Sequence, residues 1–195
     1  MLKLDIVHDL QAVYRLVVQS TSRPGTISDL SKEAALVDGT GLRASLLLLA
    51  LTLLDQEVTF KVFSAEGDTV SEIINQWTYA KPAEAEQADY IFVLQDAKRG
   101  SLEEAIQKAK PGTLNNPHES ATVIAEADSV TTGGSLILRG PGIQTAQSIY
   151  LDIGASWIES RQAKNHEFPL GIDMMFIDQD HKLLSLPRTT QITGG

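Results

Sequence analysis

The residues with most chemistry to offer lie near the C-terminus. Pro187-Arg188-Thr189-Thr190 places a guanidinium beside two hydroxyls, a donor set suited to a phosphate or a carboxylate. Asp173 sits inside an apolar run, where an unpaired carboxylate is costly, so it calls for a partner. Arg188, Arg139, Arg15 and Arg23 are the candidates. Gly140-Pro141-Gly142 follows the apolar run Ser135 to Arg139 directly and can leave backbone N–H groups facing an anion. The candidate ligand-contacting set is therefore Arg188, Thr189, Asp173, Arg139, Gly140, Gly142, Arg15 and Arg23, with no residue assigned a catalytic role.

Each of these features has a structural alternative. Arg188 can be a rim arginine that caps a carbonyl or pairs with a nearby acid, and a buried Asp–Arg pair is commonly architectural. The glycine turn lacks G-x-G-x-x-G and the P-loop lysine, and a tight strand-to-helix turn explains it equally well. No G-x-S-x-G elbow is present to support a hydrolase triad.

Composition narrows the classes further. The chain has 195 residues and a formal net charge of −9, with no run of lysines and arginines. Unspecific nucleic-acid binding and attachment to an anionic membrane are disfavoured, because both depend on clustered cations. There is no cysteine, which removes thiolate catalysis, disulfides and sulfur-ligated metal sites. His8, His118, His166 and His181 are scattered without i, i+4 spacing and give no sign of a metal site. The longest apolar run, Leu46 to Leu51, is too short to span a bilayer, and the N-terminus does not read as a signal peptide. A cytoplasmic protein with one domain over residues 1–195 is expected.

The elements that must position these groups follow from periodicity. Asp5 to Ser22 predicts a helix with Ile6, Leu10, Val13, Tyr14 and Val17 on one stripe, stopped before Pro24. Leu42 to Leu54, entered through Asp38-Gly39-Thr40-Gly41, predicts a helix apolar on nearly every face. Val58 to Phe63 reads as a strand, followed by a helix with Asp68 as N-cap and Lys81-Pro82 as its close. Ala88 to Leu94 reads as a central strand, and Ser101 to Glu104 as a capping box opening a helix to Lys110. Ala121 to Ala127 and Ser135 to Arg139 read as strands joined through Gly133-Gly134, and Thr145 to Lys164 as a helix weakened by Gly154. Ile172 to Ile177 and Lys182 to Leu186, separated by a polar loop, predict a hairpin. The order predicts an α/β fold, a three-layer α/β/α sandwich on a mixed sheet, because the final hairpin forbids an all-parallel one.

Five separated blocks carry a resemblance. They are Tyr14-Arg15 with Ser22-Arg23-Pro24-Gly25, LLLLALTLLDQEVTF from Leu46 to Phe60, PHESATVI from Pro117 to Ile124, LRGPGI from Leu138 to Ile143, and FPLGID with LPRTT. In this order, across nearly the whole chain, they resemble the PhnH family of the bacterial carbon–phosphorus lyase system. The tail Thr193-Gly194-Gly195 departs from the pattern. The resemblance implies a fold like that of the pyridoxal-phosphate-dependent transferases, without the cofactor, and no lysine is assignable to a Schiff base. It also implies a homodimer in isolation and a core complex with PhnG, PhnI and PhnJ. That complex makes ribose 1-alkylphosphonate 5-triphosphate from ATP and alkylphosphonate. Two other readings stand beside this one: an independent phosphate- or phosphonate-binding enzyme, and a purely structural dimerisation module.

Overall fold

The computed structural model describes residues 4–37, 39, 41–154 and 156–194. Helix α1 spans His8–Ser22, α2 Ser31–Ala34, α3 Ala44–Leu53, α4 Gly67–Thr78, α5 Ser101–Lys108 and α6 Trp157–Lys164. The strands are β1 Ser28–Asp29, β2 Thr59–Phe63, β3 Lys81–Pro82, β4 Tyr90–Val93, β5 Thr122–Glu126, β6 Ser129–Arg139, β7 Gln147–Asp152, β8 Asp173–Ile177, β9 Lys182–Leu186 and β10 Gln191–Gly194. A seven-stranded sheet runs β1-β9-β8-β5-β4-β2-β3. Strands β8, β5, β4, β2 and β3 are parallel, whereas β9 is antiparallel to both β8 and β1. The sheet is mixed, and the β8–β9 hairpin is what makes it so. A second, antiparallel sheet has the order β10-β6-β7.

The central strands read as continuous apolar runs because both faces are covered. One face packs against α1, α2, α3 and α4 through Phe60, Phe92, Ile124, Met175 and Leu183. The other packs against α5, α6 and the small sheet through Ile91, Val123, Met174, Phe176 and Leu184. Helix α3 is the hinge of the first layer. Ser45 to Ala50 are all buried, consistent with an apolar surface on every side, and α1, α2 and α4 all contact it. Burial of Leu46 to Leu49 contributes about 2 kcal/mol per side chain. On the far side Trp157 tilts against Phe176 with ring centroids 5.0 Å apart. Among the described residues no helix is long and apolar enough to cross a membrane.

Several local expectations need correction. Thr145 to Lys164 is not one helix: β7 occupies Gln147–Asp152 and α6 begins at Trp157. Ile149 and Leu151 are buried while Ser148, Tyr150 and Asp152 are exposed, a strand alternation. The four-residue steps through Ile149, Ile153 and Trp157 imitate a helix by coincidence. Gly133 and Gly134 do not join two strands of one sheet. They lie inside β6, where the register shifts between Ser129 and Gly134, and Gly133 faces the Asp152 backbone too closely for a Cβ. Asp68 is not the N-cap of α4. Helix α4 opens at Gly67, and the N–H groups before it are met by Ser64 Oγ and Asp96 Oδ2 instead. Nor do Ser101 and Glu104 form a capping box: Gly100 caps α5 at φ 88, and Glu104 N donates to the Gly100 carbonyl. Tyr79, at φ 60, ends α4, and Lys81–Pro82 forms an edge strand, where a proline leaves no ladder bond unmade. In the expected entry to α3, Asp38 and Thr40 lie outside the described residues.

Candidate functional site

At the amino-terminal edge of the parallel strands, Asp173 opens β8 and Arg188 follows β9. The fork of Arg188 closes on Asp173, with Nη2 to Oδ2 at 2.6 Å and Nε to Oδ1 at 3.4 Å. The Arg188 backbone N–H adds a bond to Asp173 Oδ1 at 2.7 Å, and Nη1 donates to the Pro117 carbonyl at 2.7 Å. The two side chains are only 18% and 28% exposed. Arg188 is therefore the partner that the Asp173 carboxylate requires, and its donors are taken up by its own chain.

Helix α6 holds this corner from behind. Arg161, 2% exposed, donates to the carbonyls of Thr190 at 3.1 Å, Pro187 at 2.7 Å and Leu186 at 3.5 Å. Burial pulls its pKa down to about 10 while the Asp173 charge acts in the opposite sense, so it stays cationic at neutral pH. One turn later Asn165 bonds both sides of the Ile172 peptide region, accepting from Ile172 N at 2.8 Å and donating to Ile172 O at 3.1 Å. Its amide also reaches the Arg188 carbonyl at 3.4 Å. Neither Arg161 nor Asn165 stands out in the sequence. The available signal is their i, i+4 spacing on the face that also carries Trp157.

The glycine turn serves the same corner. Gly140, at φ 135, lies so close to Thr189 that a Cβ would sit 2.8 Å from its carbonyl oxygen. Gly142, at φ 82, is pressed against the Ser22 carbonyl and the Pro24 ring. Three of the blocks singled out in sequence, Ser22 to Gly25, Leu138 to Ile143 and Pro187 to Thr190, thus meet at one place. They meet backbone to backbone, and the concave side of the turn is filled by the protein itself. Arg139 is exposed, with Nη1 3.5 Å from the Thr145 carbonyl. Beside this corner, Arg15 and Arg23 line an open groove of about 460 Å³ along α1 with Tyr14, Val18, Gln19 and Ser22.

The opposite, carboxyl edge is where open α/β sheets usually bind ligands. Here Arg43 Nε meets Glu126 Oε1 at 2.6 Å and Arg43 Nη2 meets Gln95 Oε1 at 3.1 Å. Gln95 in turn donates to Glu126 Oε2 from its backbone at 3.0 Å and to Asp128 Oδ1 from its amide at 2.5 Å. Asp178 is buried and accepts N–H bonds from Val130, Asp180 and Lys182. His181 Nδ1 is 3.0 Å from Ser45 Oγ, but Ser45 is fully buried, so this hydroxyl packs the ring and does not face a substrate. A groove of about 1140 Å³ beside β2 and α4 is lined by Glu66, Asp68, Glu72 and Glu84. Its lysine, Lys61, already pairs with Glu84 at 3.2 Å, so the groove repels a phosphate-like anion. Among the described residues no group of three or more His, Asp or Glu is arranged to hold a metal ion.

The comparisons with known proteins agree along the whole chain. The family described as bacterial phosphonate metabolism protein (PhnH) matches residues 4–193. HtxG of Stutzerimonas stutzeri, described as a candidate C–P lyase subunit, is 31% identical over 185 residues, covering 93% of this chain and 85% of that one. The alpha-D-ribose 1-methylphosphonate 5-triphosphate synthase subunit PhnH of Rhizobium meliloti (strain 1021) is 27% identical over 198 residues, covering 96% and 92%. The blocks that meet around Arg188, Gly140 and Gly142 lie within the matched span, and the chain belongs to the PhnH family of bacterial phosphonate-metabolism proteins.

Proposed function

We propose that the chain is an accessory subunit of a carbon–phosphorus lyase core complex, acting with PhnG, PhnI and PhnJ. The complex forms ribose 1-alkylphosphonate 5-triphosphate: a phosphonate oxygen bonds to the ribose C1 of ATP, and the bond from C1 to adenine breaks. The observation that carries this reading is the end-to-end match to PhnH together with relatives named as subunits of such systems. The paired state of the polar groups agrees with an accessory role. Asp173 with Arg188 and Glu126 with Arg43 are each bound to a partner within the chain, and both pairs brace strand ends. In this reading the isolated subunit is a cytoplasmic homodimer, and its fold is kin to the pyridoxal-phosphate-dependent transferases without use of the cofactor.

Co-purification from phosphate-starved cells tests the assignment. Tagged protein is expected to retain the other core subunits in fixed ratio, and the isolated subunit is expected to release no adenine from ATP and methylphosphonate. Recovery of the subunit alone, with adenine release by the isolated chain, would replace this reading by that of an independent enzyme. Incubation with pyridoxal phosphate and borohydride is expected to trap no lysine adduct.

A further inference from the structure

Arg15 on helix α1 and Arg23 just past its end both point outward. Between Asp9 and Asp29 the chain carries no acidic residue, although it holds 25 aspartates and glutamates in all. Helix α1 turns Val13, Val17 and Ser20 inward and leaves Gln11, Tyr14, Arg15, Val18, Gln19 and Ser22 exposed. Exposed positions three and four residues apart form one stripe, with Tyr14 at 55% and Val18 at 45% exposure as its apolar centre. Arg15 and Arg23 flank that centre, and among the described residues neither lies within 4.0 Å of a carboxylate.

We infer that this face of α1 is a docking surface for another core subunit, at a patch of it that carries apolar residues flanked by aspartate or glutamate. The inference rests on the proposed subunit role and adds the place and chemistry of contact. Charge selects the partner. On a chain of net charge −9, an acid-free strip with two guanidiniums attracts an acidic surface. Shape favours a macromolecule over a free phosphate. Arg15 lies on α1 and Arg23 just past its end, about 12 Å further along the axis, so their backbone anchors spread charge along the groove. Tyr14 and the two arginines are also of the residue types that anchor protein interfaces.

The test is retention of the full-length protein on tagged PhnG–PhnI–PhnJ, for wild type, Arg15→Glu/Arg23→Glu, Val18→Glu and the exposed control Lys98→Glu. Melting temperatures establish that every variant is folded. The charge-reversed pair and Val18→Glu are expected to bind at least about tenfold more weakly, and Lys98→Glu as wild type. Wild-type binding is expected to weaken as salt is raised. Undiminished binding by both α1 variants overturns the inference and leaves the subunit assignment intact. So does a loss confined to self-association, which assigns the face to a second copy. If wild type itself is not retained, the subunit assignment fails, and the docking surface fails with it.

Discussion

Two sets of arginines in this protein have opposite surroundings. Arg188 and Arg161 donate to Asp173 and to four main-chain carbonyls, those of Pro117, Leu186, Pro187 and Thr190. Among the described residues, only Arg161 Nε in this corner's guanidiniums is buried without a partner. Arg15 and Arg23 line the open groove at α1, and among the described residues neither has a carboxylate within 4.0 Å. The first set sits where three recognisable sequence blocks meet, and it is closed: the glycine turn, the threonines and the guanidinium fill one another's space. The second set lies in a block of the resemblance too, yet it is open. Density of motif therefore marks the framework here, and the proposed docking surface lies on the open face beside it.

The largest effect should come from the framework's centre. Arg161→Leu removes the buried guanidinium that bonds the carbonyls of Leu186, Pro187 and Thr190, of which Pro187 keeps only the Thr190 N–H, and roughly 4 kcal/mol of stability should be lost in chemical denaturation. A loss below about 1 kcal/mol would mean that the corner is not braced by α6. Gly142→Ala comes next, at about 3 kcal/mol, because the methyl group meets the Ser22 carbonyl and the residue must hold a positive φ. Its far-UV spectrum should remain native while its melting temperature falls.

Much of this framework could be read from sequence, and the reasons are physical. Helices α1 and α3, strands β2 and β4 and the β8–β9 hairpin could be located from local pattern. The stripe expected on α1 was partly misplaced, however: Ile6 precedes the helix, and Tyr14 faces outward beside Arg15. The demand of Asp173 for an arginine was likewise legible, since a carboxylate in an apolar strand needs one and Arg188 lies at the end of the next strand. The small sheet was not legible. It draws β6, β7 and β10 from separate stretches, with two glycines inside β6 and a helix-like spacing across β7. The Arg43–Glu126 pair was not legible either, because only the sheet topology brings residues 83 positions apart into contact. Arg161 and Asn165 were hidden for a related reason: their partners are carbonyls, which every residue has.

Two smaller effects sharpen the contrast. Asp89 is partly buried, which pushes its pKa up, but bonds from Lys110 Nζ at 2.6 Å and from Thr59 outweigh burial and hold it below the ordinary 3.8. A carboxylate depressed in the folded state contributes stability that is present above 3.8 and fades as the pH drops below it. Melting temperature should therefore decline below about pH 4, and Asp89→Asn should flatten part of that decline. On α1, Tyr14→Ser should change stability by less than about 0.5 kcal/mol, since its side chain is mostly in solvent.

The contrast between closed and open arginines meets its most direct test in one binding titration. Affinity for the PhnG–PhnI–PhnJ subunits would be measured for Arg188→Lys and for Arg15→Glu/Arg23→Glu, at a temperature where both are folded. Arg188→Lys should cost about 2 kcal/mol of stability through loss of the planar fork, yet bind within about twofold of wild type. The α1 pair should bind at least about tenfold more weakly. Weak binding by folded Arg188→Lys, with wild-type affinity for the α1 pair, would reverse the two roles and contradict the account.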